Sequence, residues 1–164
     1  MIISSEFLKK YLRDISSKSF VALPHSQYYL PDSREISLID HFYRKELIKK
    51  FNLKNRKQWS CCQYAEAFKN FASVYFSQII SADASAISVG VIYFKRKNTI
   101  RTPVFTDYLN EIKSIEKKID IEPHAANIIL YNLNGKINHL YKDHQNNYLK
   151  LDAEEIKFIE LIIL

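Results

Sequence analysis

Between Ser5 and Ile15 apolar residues recur every three to four positions, gathering Phe7, Leu8, Tyr11, Leu12 and Ile15 on one side of a predicted helix. After the turn-rich stretch FVALPHSQYYLPDS, Asp32 stands three residues before Glu35. That is capping-box spacing, and it opens a second helix with Ile36, Ile39, Tyr43 and Leu47 as its stripe. FNLKNRKQ breaks the pattern, and a third helix is expected from about Ser60 to Ile80. ISVGVIYF has the β-branched and aromatic content of a strand. Beyond the polar KRKNTIRTP, Thr106 can cap a helix carrying Leu109, Ile112, Ile115 and Ile119, a helical insertion near 101–122. Two strand-like runs flank Asn134-Gly135, a strong hairpin signal, and NYLKL reads as a further strand. Asp152 with Glu155 repeats the capping box before a terminal helix through Ile156, Ile159 and Ile163. The order predicts an α+β fold in one domain, 1–164: a helical N-terminal half packed on a small, mostly antiparallel β-sheet.

Composition narrows the classes. A chain of 164 residues with 47% hydrophobic content can bury a core. The opening MIISSEFLKKYLRDI has charges inside its apolar stretch, and no run of about 18 apolar residues exists. The expectation is therefore no membrane partner, and a cytoplasmic protein or one delivered by a specialised secretion route without a cleaved signal. Net charge is +6, with basic groups at Lys49–Lys50, Lys54–Arg56–Lys57 and Lys95–Arg96–Lys97. A solvated basic surface is the plainer account of them, so a nucleic-acid partner is allowed but not favoured. Two adjacent cysteines make no disulfide framework, and no CxxC or HxxxH spacing suggests a metal. Two isolated glycines make no phosphate loop, so no cofactor is expected. Oligomeric state is left open.

The chemistry centres on Cys61 and Cys62. On the third helix Cys61 shares a face with Ala65, Phe68, Ala72, Phe76 and Ile79, whereas Cys62 lines up with Glu66, Lys69 and Ser73. In a first helical turn the helix dipole favours a thiolate. A packed small hydrophobe is the plain alternative for Cys61. A two-residue Asn134-Gly135 loop pairs Leu133 with Lys136, then Ala126 with Asp143 and His124 with Gln145. His124, Asp143 and Gln145 then share one side of the sheet, with Asp143 diagonal to His124. A three-residue loop would put Lys142 and His144 there instead. Cysteine as nucleophile, histidine as base and a carboxylate to orient it would serve acyl transfer.

Several short motifs fit that picture. SCCQYAEAF resembles a DCDDFA-type cysteine motif, HAANIIL an HA-x-N strand, and YKDHQ an EPQ-type strand end. YYLPDSREI is similar to the segment preceding the cysteine motif in the same group. From Gln27 to Leu151 the chain thus resembles the papain-like cysteine hydrolase superfamily, which includes NlpC-type and transglutaminase-like proteins. The narrower resemblance is to the carboxy-terminal peptidase domain of fungal agglutinins and related bacterial and phage proteins. It implies a papain-like fold and a thiol-dependent hydrolase or acyltransferase acting on an amide or isopeptide bond of a protein or peptide substrate. Cys61 would be the nucleophile, His124 the base and Asp143 the orienting residue. Gln145 would assist, and Gln58 or Asn55 would complete an oxyanion hole. The motif acids are here Ser60, Cys62 and Gln63, so no calcium dependence is carried over, and the EPQ proline is His144. The alternative is a catalytically inactive papain-like binding module, of effector or anti-defence type, engaging an acidic protein or nucleic acid through the basic patches.

Overall fold

The computed structural model describes residues 1–49, 60–79, 84–105, 112–143, 147–149, 151, 156 and 159–164. For 47, 79, 97–105, 112–120 and 147–149 it describes the backbone alone. Strand β1 (Ile2–Ser4) leads into helix α1 (Ser5–Ile15), followed by β2 (Phe20–Ala22) and β3 (Gln27–Tyr29). Helix α2 (Ser33–Tyr43) runs on into a π-helical turn, Arg44–Lys49, and α3 spans Cys61–Ile79. The strands β4 (Ala86–Ile87), β5 (Val89–Phe105), β6 (Ile112–Leu133), β7 (Lys136–Asp143), β8 (Asn147–Leu149) and β9 (Ile159–Ile163) complete the order.

The three N-terminal helices form where the pattern predicts them. Ser4 Oγ accepts the Phe7 N–H at the start of α1. At α2 both halves of the Asp32–Glu35 capping box form, each at 2.8 Å. The hairpin also follows its sequence: Asn134 and Gly135 have φ of 53° and 78°, the doubly left-handed pattern of a two-residue loop. Leu133 pairs with Lys136, Tyr131 with Asn138 and Asn127 with Lys142, the register that counting gives.

The strands form two sheets, a three-stranded one ordered β1-β3-β4 and a six-stranded one ordered β2-β9-β5-β6-β7-β8. Ser88 joins them: its N–H donates to the Tyr29 carbonyl and its own carbonyl accepts the Leu130 N–H, both at 3.0 Å, while its hydroxyl lies 2.8 Å from the Tyr29 and Leu130 carbonyl oxygens, one of which takes its proton. One face of the larger sheet carries Ile92, Phe94, Ala126, Ile128 and Leu130 against Leu8 and Leu12 of α1. The other carries Val89 and Ile129 against Ile36, Ile39, Phe68 and Ala72 of α2 and α3. Gly90 lets the last strand approach: a Cβ there would stand 2.5 Å from the Ile163 carbonyl oxygen.

This corrects the expected fold class. A helical half packed on one small sheet is not what forms, because β1, β2 and β3 lie among the early helices, β1 and β3 in the three-stranded sheet and β2 at one edge of the six-stranded one. The helix predicted near 101–122 is replaced by a long antiparallel ribbon in which β5 pairs with β6 from Val89↔Ile129 to Phe105↔Ile112. Ile112, Ile115 and Ile119 fit a helical period, but the Thr, Ile and Val content of the facing segment supplies a strand partner, and pairing overrides the local period. Thr106 and Leu109 lie outside the described residues. At the C-terminus Ile156 is helical, but β9 takes the place of the predicted helix from Ile159 onward. Its unbroken apolar run, Leu161 to Leu164, suits a strand flanked by β2 and β5 on both edges. Asp152 and Glu155 lie outside the described residues.

Candidate functional site

Helix α3 begins at a cap that the reading of the sequence passed over. The Ser60 N–H donates to Gln63 Oε1 at 2.8 Å, and the Gln63 N–H returns to Ser60 Oγ at 3.4 Å. The S-x-x-Q spacing was the available signal. The cap fixes Cys61 and Cys62 in the first turn, both free and half-buried, packed with Tyr93 on Ala65, Val91 and Ala125. Burial, then the neighbouring Cys61, pushes the Cys62 thiol up rather than toward a thiolate. Beside them the Tyr93 hydroxyl donates to Glu66 Oε1 at 3.1 Å. Burial and that carboxylate push the phenol up to about 12.

His124 and Asp143 come together as the hairpin register requires, with Nε2 3.2 Å from Asp143 Oδ2. Asp143 is 2% exposed and also lies 3.9 Å from Arg96 Nη1. The imidazole meets the Phe94 ring edge-on at 5.4 Å between centroids. Among the described residues, the hydrogen-bond partner of the imidazole is Asp143.

Successive strand residues point to opposite sides. Ala125 and Asn127 face α3: Ala125 packs in the cysteine cluster, and the Asn127 amide donates to the Ala65 and Gly90 carbonyls at 2.9 Å each. His124 therefore faces the α1 side, as do its neighbours Phe94 and Ala126. The same alternation on β7 sends Lys142 toward Asp40 and Phe68 on the helical side, and Asp143 to the side of His124. The structure brings His124 to Asp143 and packs Cys61 with Ala65, Val91 and Ala125 at the start of α3. Gln145, Gln58 and Asn55 lie outside the described residues, as do Lys54, Arg56 and Lys57. No group of three or more metal-ligating side chains occurs among the described residues. No helix among them is long and apolar enough to cross a membrane.

No family model matches the chain, and no curated protein matches it. Several solved structures share its fold, among them two described as follows. One is described as a PSL1a–E64 complex, with a TM-score of 0.61 and 12% identity over 99% of this chain and 51% of that one. The other is the Polyporus squamosus lectin bound to the human-type influenza-binding epitope Neu5Aca2-6Galb1-4GlcNAc, with a TM-score of 0.61 and 13% identity over 99% of this chain and 49% of that one. The chain thus spans about half the length of the lectin chains it resembles.

These neighbours correct the functional expectations. One is described as a lectin bound to a glycan, and on that description the resemblance to papain-like cysteine hydrolases, and the thiol-dependent hydrolase or acyltransferase drawn from it, give way. So does the inactive papain-like module engaging an acidic protein or nucleic acid. The hydrogen bonds agree: among the described residues the His124 imidazole bonds Asp143 and neither thiol, whereas a nucleophile and its base need hydrogen-bond reach, directly or through one water. The expected protein or peptide substrate is corrected with them, since the ligand described for the lectin is a glycan.

Proposed function

We propose that this chain is a carbohydrate-binding domain. The observation that carries the reading is the extent of the likeness: 99% of the chain follows the fold of a lectin described in complex with a sialylated glycan. Because the chain spans about half of that lectin, sugar binding by this half is the proposal itself. Supporting chemistry lies at the His124 end of the sheet. Arg96, His124 and Asp143 place a guanidinium, an imidazole and a carboxylate on one face. Such planar polar groups bond sugar hydroxyls and carboxylates with directional geometry. Asp143 engages Nε2 and leaves Nδ1 as the nitrogen for a ligand.

Calorimetric titration with Neu5Aca2-6Galb1-4GlcNAc, and with Galb1-4GlcNAc lacking the sialic acid, tests this. Saturable binding that weakens about tenfold or more in His124→Ala is expected, a loss of about 1.4 kcal/mol. No binding of either glycan at millimolar concentration overturns the carbohydrate reading. E64, named with the other neighbour, is titrated in parallel. Binding of E64 that disappears in Cys61→Ala would move the ligand site to the thiol face.

A further inference from the structure

Where β9 and β7 stop, β5 and β6 continue as a two-stranded ribbon. The pairing of β9 with β5 runs to Phe94 and that of β7 with β6 begins at Asn127, whereas β5 and β6 stay in register from Arg96↔Glu122 to Val104↔Ser114. Among the described residues no third strand pairs with that stretch. Facing partners of an antiparallel pair share a face, and successive residues alternate between faces. One face therefore takes Lys97, Arg101 and Lys117 together with Ile115, Ile119 and Ile121, and no carboxylate. The acids of the stretch, Glu116, Asp120 and Glu122, fall on the other face. Ile121, where the ribbon leaves the sheet, is 54% exposed. We propose that the ribbon is a membrane-contact arm that lays its basic, isoleucine-bearing face on an anionic lipid surface.

Charge and apolar content select this partner together. At about 3.4 Å per residue the face runs about 20 Å from Lys97 to Pro103, long enough to meet several headgroups. Cations alone would suit any polyanion, but isoleucine gains nothing from phosphate and gains from leaving water at the acyl boundary. Lysine and arginine suit the same depth, because their aliphatic stems can accompany isoleucine while the charges stay among the headgroups. The acids on the second face are repelled by the same anionic surface, which sets the orientation of the arm. A contact of this kind needs no spanning segment. It is also independent of the sugar reading, since Arg96, assigned to that site, takes the second face of the ribbon.

Flotation with phosphatidylcholine vesicles, with and without about 30% phosphatidylserine, at about 0.1 M salt, tests the arm. The wild-type chain should float with the anionic vesicles and not with the neutral ones. Lys97→Gln, Arg101→Gln and Lys117→Gln combined should weaken that binding about hundredfold. Lys9→Gln, Lys10→Gln and Lys18→Gln combined, which remove as much charge from exposed positions around α1, should weaken it less than about fivefold. Ile119→Ser alone should weaken it about tenfold, and it decides the matter if the triple ribbon variant does not fold. Failure to float with the anionic vesicles, or an equal loss in the two charge variants, overturns the proposal. So does unchanged binding in Ile119→Ser, the mark of a face that takes any polyanion. A lipid-free dimer that Ile119→Ser disperses would give the face to a second copy and overturns it as well.

Discussion

Lys142 is 1% exposed, and its ammonium reaches Asp40 of α2 while lying 5.3 Å from the centre of the Phe68 ring. Asp40 is also held by Arg44 at 3.0 Å. Burial pushes Lys142 below the ordinary lysine range, and Asp40 restores it only in part. The pair therefore fixes where β7 meets α2 more than it adds net stability. Asp40→Ala, which leaves the buried ammonium without that carboxylate, should cost about 3 kcal/mol in denaturant unfolding, whereas Lys142→Met should cost less than about 1 kcal/mol. An equal cost for both would contradict this account of the pair. A hydrophobic-pattern reading assigns lysine to the surface, so nothing in the sequence pointed to Lys142. His124 and Asp143 were legible because the Asn134-Gly135 turn fixes a register and strand alternation does the rest. The position of Cys61 relative to them was not, because alternation does not say which face a helix will take. Ala125 carried the missing signal: a small residue beneath the start of α3 means that His124, next to it, must face away.

At the scale of elements, the structures legible in sequence are those whose stop and start signals are local. Caps opened α1, α2 and α3 where Ser4, Asp32 and Ser60 stand. Because Ser60 accepts the Gln63 N–H while Gln63 receives the Ser60 N–H, Ser60→Ala should lower stability by about 1 kcal/mol, read as a shifted unfolding midpoint at unchanged slope. No shift would show that the first turn, with both cysteines, is held by packing alone. The misread elements are those decided by distant partners. The ribbon of β5 and β6 and the insertion of β9 between β2 and β5 depend on pairing that no local window contains. The β-branched run at Ile162–Ile163 was visible, yet it fits a helix stripe and a buried strand equally well.

At the scale of the whole molecule, two sets of chemically capable groups pack in different clusters. The thiols lie with Tyr93 and Glu66 on the α3 side, and the imidazole with Asp143 and Arg96 on the α1 side. That separation underlies the preference for ligand binding over thiol chemistry. The most direct test is the rate at which iodoacetamide alkylates Cys61 in a Cys62→Ser background, with and without His124→Ala. A base in contact with a thiol accelerates its alkylation, and losing that base slows it. With the imidazole bonded to Asp143 and to neither thiol among the described residues, the two rates should agree within about twofold. A fall of about tenfold or more on removing His124, of the size expected for a base engaged with the thiol, would place the two groups together and contradict the account.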